Sequence, residues 1–164
     1  MSTPWRGIAT LALALLAGCA TFPAPRQVST EAEALAVFGE PVERWHNGDS
    51  TTTLEYSTQP MGATALMITV DRSGAVLRQE DALSQENLAR VERGMTREQV
   101  SRLLGRHRSV ERFVLSGEEV WDWNIRNDGP GVATRFNVHF IDGKVVRTSR
   151  SFVYPNDGMD RSNR

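Results

Sequence analysis

The chain has little of what catalytic and metal sites are built from. It holds one cysteine, so no disulfide can form within it. Its three histidines, His46, His107 and His139, are scattered at spacings unlike the metal-ligand pairs of a helix or hairpin. His139 alternates with Val138 and Phe140, which predicts a solvated histidine on the outward side of a strand. No serine sits in a Gly-x-Ser-x-Gly elbow. The carboxylate pair Glu118-Glu119 follows Gly117 in a predicted turn, where a solvated pair is far commoner than a general acid and base. No apolar run reaches the roughly twenty residues of a membrane-spanning helix. The formal charge of −1 offers no basic excess for nucleic acid. The expectation is a protein that is not an enzyme and has no cofactor, no metal and no nucleic-acid partner. A hydrophobic content of 40% with four tryptophans still argues for a folded core.

What is present begins with a leader. Arg6 precedes an almost purely Ala/Leu stretch over residues 8–17, and small residues lead into the lone cysteine in Leu16-Ala17-Gly18-Cys19. A charged start, a short apolar stretch and small residues at the cut describe a secretory signal peptide. The string resembles the lipobox of bacterial lipoproteins. That resemblance implies a diacylglyceryl group on the Cys19 thiol, cleavage between Gly18 and Cys19, and acylation of the new amine. With Ala20 rather than aspartate next, it also implies passage to the outer membrane. Removing the signal peptide, residues 1–18, leaves 146 residues. Residues 19–29 read as the lipidated cysteine and an extended linker, because Pro23 and Pro25 deny a helix. The polar segment 154–164 reads as a flexible tail.

The body repeats itself. Thr30, Glu33, Phe38 and Gly39 recur at a constant offset as Thr96, Gln99, Leu104 and Gly105. Each set predicts a short helix opened by a capping box and ended by a left-handed glycine. Ala34, Val37 and Phe38, like Val100, Leu103 and Leu104, give each helix one apolar stripe. Thr52, Leu54 and Tyr56 then alternate, as do Trp121, Trp123 and Ile125. Leu66, Ile68 and Val70 correspond to Phe136, Val138 and Phe140, and the turns Asp71-Arg72-Ser73-Gly74 and Asp142-Gly143 lead into last strands. The expected fold class is α+β, with tandem units of short helices packed on a three-stranded antiparallel β-meander. The units are a first, degenerate αβββ copy over 30–81 and a second ααβββ copy over 84–153. Only the second has an extra helix, expected over 85–93 with Leu88 and Val91 on its apolar side.

Gly94-Met95-Thr96 with Gln99-Val100, Leu103-Leu104-Gly105, Trp121-Asp122-Trp123 and Val138-His139-Phe140 before Asp142-Gly143 resemble the SmpA/OmlA pattern. These are the BamE-like outer-membrane lipoproteins, whose best-known member belongs to the machinery that inserts β-barrel proteins. The resemblance covers residues 86–150, with a weaker copy over 30–80, and His107 replaces a proline common in the family. It implies an outer-membrane lipoprotein, anchored on the periplasmic leaflet, that acts as a non-enzymatic interaction module. The implied role is outer-membrane protein assembly or envelope integrity, with the β-barrel assembly machinery as partner. The tandem arrangement also resembles secreted β-lactamase inhibitor proteins, which leaves a periplasmic inhibitor or ligand-capturing protein as the alternative.

Two features are candidates for a partner surface. Trp121 and Trp123 share one face of a strand, either as core residues or as an aromatic patch. Charge divides the copies, residues 30–81 carrying −6 and residues 84–150 carrying +3. The positive side chains cluster as Arg90, Arg93, Arg97, Arg102, Arg106, Arg108 and Arg112. They read either as solvated helix faces or as a basic surface for an acidic protein, anionic lipid or cell-wall polymer.

Overall fold

A computed structural model describes residues 26–127 and 129–154. The signal peptide, Gly18, Cys19, linker residues 20–25 and tail residues 155–164 lie outside them. The described chain runs α1 (Glu31–Phe38), β1 (Glu43–His46), β2 (Thr52–Ser57), β3 (Ala65–Val70), β4 (Val76–Asp81), α2 (Gln85–Ala89), α3 (Arg97–Leu104), β5 (Ser109–Phe113), β6 (Glu118–Ile125), β7 (Ala133–Ile141) and β8 (Lys144–Val153). The strands form two antiparallel sheets in simple meander order, β1-β2-β3-β4 and β5-β6-β7-β8.

Each sheet therefore has four strands, one more than expected. The strands left out of the expected meanders are the edges β1 and β5, with sequences ERWH and SVERF, the segment around Trp45 after Pro41 reading as either strand or loop. Neither is buried on a clean alternate face, so neither carries the period-two pattern that marks a half-buried strand. Their order comes from pairing with β2 and β6. Glu118 and Glu119 are likewise not in a turn but open β6.

Local signals set the helix ends. Thr30 and Thr96 accept hydrogen bonds from the N–H groups of Glu33 and Gln99, both at 3.1 Å. Only α3 has the full capping box, in which Gln99 accepts from the Thr96 N–H. In α1 the Glu33 carboxylate instead takes the N–H of Ser29 at 2.9 Å. The closing glycines differ from expectation too. Gly39 (φ 81°, ψ −159°) and Gly105 (φ 72°, ψ −165°) occupy an extended region that only glycine enters readily, not the left-handed helical one. The extra helix is shorter than expected, because the N–H groups of Arg90 and Val91 turn back to Asn87 and Leu88 and close it after Ala89. Val91 still packs on the core beyond the helix end.

Packing joins the halves. Leu54, Leu66, Ile68 and Val70 face α1, where Ala34 is buried and Val37 and Phe38 pack beside it. Ala65 and Met67 point the other way and join a larger cluster with Leu88, Val100, Leu104, Trp123, Phe136, Val138 and Phe140. β3 is thus covered on both faces, which explains its nearly unbroken apolar sequence ALMITV. The expected linker is also partly docked. Val28 is buried, its N–H bonds Gln79 Oε1 at 3.2 Å, and Gln79 Nε2 donates to the Arg26 carbonyl at 2.8 Å.

The two glycines give a test. A Cβ on Gly39 would meet nothing within 4 Å, whereas one on Gly105 would lie 2.8 Å from Glu55 Oε1 and 2.9 Å from Met67 Cε. Gly39→Ala should cost roughly 1–3 kcal/mol in backbone strain alone. Gly105→Ala should cost more, read from urea midpoints; equal losses would mean that the junction at Gly105 can give.

Candidate protein-interaction site

The contact between the halves centres on Glu55, whose place in β2 turns it away from α1 and towards the second half. Only 1% of it is exposed. Oε1 accepts the Arg106 backbone N–H at 2.6 Å, and Oε2 accepts the Trp45 indole N–H at 3.1 Å. Burial raises the Glu55 pKa, with these two hydrogen bonds pulling against it. From its own half, Gly105 offers its carbonyl to the Trp123 indole N–H at 3.1 Å. The turn after α3 is therefore gripped from both sides. A second clasp forms where β6 runs beyond β5. There Gln59 donates to the Asn124 carbonyl at 2.8 Å and accepts its N–H at 3.2 Å.

The aromatic candidates separate. Trp123 is fully buried, so it belongs to the core and offers nothing to a partner in this state. Trp121 is only partly buried, in tilted ring contact with His107 at 4.4 Å and Phe140 at 5.0 Å between centroids. Its indole donates to Glu119 at 2.8 Å. His107 thus acts as an aromatic lid on Trp121, and burial, with Arg106 beside it, lowers its pKa.

The arginines do not form one basic face. Arg97 and Arg112 both bond Glu119, each at 2.8 Å. Burial opposes ionisation of Glu119, but the hydrogen bonds from Trp121, Arg97 and Arg112 prevail and lower its pKa. Arg102 pairs with Glu98 one turn earlier at 3.0 Å and lies 5.1 Å over the Trp45 ring. Arg108 grips Asp122 with two nitrogens on the outer face of the second sheet. Arg90 donates to Asn87 at 2.8 Å. Arg93 and the Arg106 side chain make no hydrogen bond or ion pair among the described residues, though the Arg106 charge acts on Glu55. The net +3 of this half is thus spread over separate surfaces and mostly paired.

His139 corrects the expectation of a solvated side chain. It does face outward, but it is 7% exposed, lying 2.9 Å from Glu118 and 2.8 Å from the Ser149 hydroxyl. Burial and then Arg147 lower its pKa, against the pull of Glu118. The sequence signal for this network was the polar alternation of Asn137 and His139 opposite Ser149 and Arg147. Among the described residues no group of three or more His, Cys, Asp or Glu could hold a metal ion, and no helix is long and apolar enough to cross a membrane.

Against known proteins, residues 81–150 match the family described as the outer membrane protein assembly factor BamE domain. This segment is similar to BamE domains. It runs from the last residue of β4 through α2, α3 and β5 to β7 into β8, so it contains Trp121, Trp123, His107 and the arginine candidates. Glu55 and Trp45 lie outside it, and the second sheet of the BamE-like domain packs against a first half that the family match does not cover. No curated protein matches the chain. A candidate beta-lactamase inhibitor protein from Streptococcus mutans is 11% identical, over 75% of this chain and 82% of that one. Its TM-score of 0.34 is too low to carry an argument about fold or function.

The raised pKa of Glu55 has a measurable consequence. Folding disfavours its charged form, so the folded state keeps a proton that the unfolded state releases. Its stabilising contribution is complete below the ordinary carboxylate range and falls as pH rises through the raised folded value. Glu55→Gln removes that titration. The stability of the wild type relative to Glu55→Gln should therefore shrink as pH rises from 4 to 7, followed by denaturant unfolding at each pH. A constant difference would show that Glu55 titrates as it does in water.

Proposed function

We propose that this protein is an outer-membrane lipoprotein, held on the periplasmic leaflet through Cys19, that serves outer-membrane protein assembly as a non-enzymatic binding module. The observation that carries this reading is the BamE-like domain at 81–150, whose family is described as an assembly factor. The lipobox string Leu16-Ala17-Gly18-Cys19 supports the anchor. A single acyl chain binds a membrane only marginally, whereas two or more give a stable anchor. Confinement to a surface then lets a modest affinity act at a high local concentration.

The proposed units are the first copy at 30–81 and the BamE-like copy at 84–153, related by duplication. Their shared order of a helix followed by a four-stranded meander supports this. The partner surface would draw on the parts of the BamE-like domain that its own packing leaves accessible. These are Trp121 at its partly open edge, the Arg106 side chain, Arg102, and the β5–β6 hairpin tip, where Val114 and Leu115 are almost wholly exposed.

The test is membrane fractionation combined with capture from detergent-solubilised envelopes. The unmodified protein should sediment with outer membranes and retain β-barrel assembly components. Cys19→Ser should fold normally yet move to the soluble fraction. An unchanged distribution of Cys19→Ser would overturn the anchor, and capture without any assembly component would overturn the proposed role.

A further inference from the structure

The outer face of the second sheet, opposite the core, holds a groove of about 490 Å³ lined in part by Arg108, Asp122, Arg135, Asn137, His139 and Arg147. Most of its charges satisfy one another. Arg108 holds Asp122 with two nitrogens, and Ser109 donates to the same carboxylate. Arg147 donates to Glu118 at 2.9 Å, which also meets His139. Arg135 is the exception. Its Nε is buried and has no acceptor, and its guanidinium has no hydrogen bond or ion pair among the described residues. The carboxylates nearest to it in the sheet are occupied, and the remaining one, Glu111, lies on edge strand β5, two strands away from β7.

A guanidinium cannot shed its proton in a protein. An unmade hydrogen bond at a charged donor is costly, and the terminal guanidinium nitrogens, which are not among the buried unpartnered atoms, are the donors an incoming acceptor can reach. A second donor stands beside it. Ser151 is the register partner of Arg135 across β7 and β8. Its hydroxyl oxygen accepts from Asn137 at 3.2 Å, while its own O–H donates to nothing among the described residues. The planar fork of an arginine with an adjacent hydroxyl fits the two oxygens of a carboxylate. The charge count of the groove disfavours a dianion more than a monoanion. Arg108, Arg135 and Arg147 are balanced by Glu111, Glu118 and Asp122, so a dianionic phosphate would leave a larger uncompensated charge.

We propose that this groove receives an aspartate or glutamate side chain of a partner polypeptide, bound by the Arg135 guanidinium and the Ser151 hydroxyl. The choice of a polypeptide rests on the reading of the protein as a binding module, which envelope capture tests separately.

The experiment is NMR of the full chain, following the Arg135 Nε–H resonance. The probes are a blocked Glu-containing tripeptide, its Gln counterpart, inorganic phosphate, and vesicles with and without anionic lipid. The Glu peptide should shift the resonance saturably and the Gln peptide should not. Arg135→Lys, which keeps the charge but loses the fork, should weaken binding of the Glu peptide about tenfold or more, read from the neighbouring backbone amides. If that variant fails to fold, the Glu and Gln titrations of the unmutated chain decide alone. Equal response to the two peptides, no response to either, or saturation by phosphate or anionic vesicles at lower concentration than by the Glu peptide would each overturn the proposal.

Discussion

The buried carboxylate of Glu55 is the constraint on which the arrangement of the two halves depends. A carboxylate withdrawn from water must find donors or take up a proton. Glu55 finds one in the backbone of the second half, at Arg106, and one in the indole of Trp45 on its own sheet. The bond from Arg106 requires the chain to pass close by just after α3, where a Cβ on Gly105 would crowd Glu55 and Met67. Gly105 meets that need with a backbone conformation other residues avoid, and Trp123 locks its carbonyl from the opposite side. This polar contact, with the Gln59–Asn124 clasp, orients the sheets, while the hydrophobic burial around it supplies most of the free energy.

This junction shapes what is left for binding. Because the second sheet turns its aromatic face to α2, α3 and the first half, its other face carries polar side chains that must satisfy one another. They do so through Arg108 with Asp122 and Arg147 with Glu118 and His139, leaving Arg135 without a partner among the described residues. The same packing consumes Trp123 and half-covers Trp121. Charge counting overstated the basic surface, because an arginine next to a carboxylate presents little net field to a partner. The glutamates that neutralise Arg97, Arg102 and Arg112 come from within the same half, so the regional charge total could not show which arginines remain free.

Much of the fold was legible because local rules wrote it. Thr96 with Gln99, the closing Gly105, the alternation from Leu66 to Val70 and the Asp142-Gly143 turn each act over a few residues, and each sits where its pattern placed it. Asp142 and Gly143 both have positive φ, as a two-residue hairpin turn requires. The misses share a different cause. β1 and β5 are edges whose order comes from a neighbour, and His139 sits on an outward face that other side chains close over. Val28 is buried only because β4 lies beside it. The nearly unbroken apolar run of β3 did carry a readable sign of burial on both faces, hidden by the cleaner alternation of Leu66, Ile68 and Val70.

By itself the sequence determined the leader string ending at Cys19, the helix caps, the turns, the strand faces and the resemblance to BamE-like proteins over the second half. These depend on residue identity within a short window, where backbone preference and periodicity act. Tertiary structure alone decided that Glu55 is buried, that Gly105 is a contact between halves, that Trp123 is core while Trp121 is edge, and that Arg135 lacks a partner among the described residues. Such outcomes depend on which distant residues arrive at the same place, as Arg106 does at Glu55. Desolvation and hydrogen-bond satisfaction are properties of that meeting, not of either segment alone.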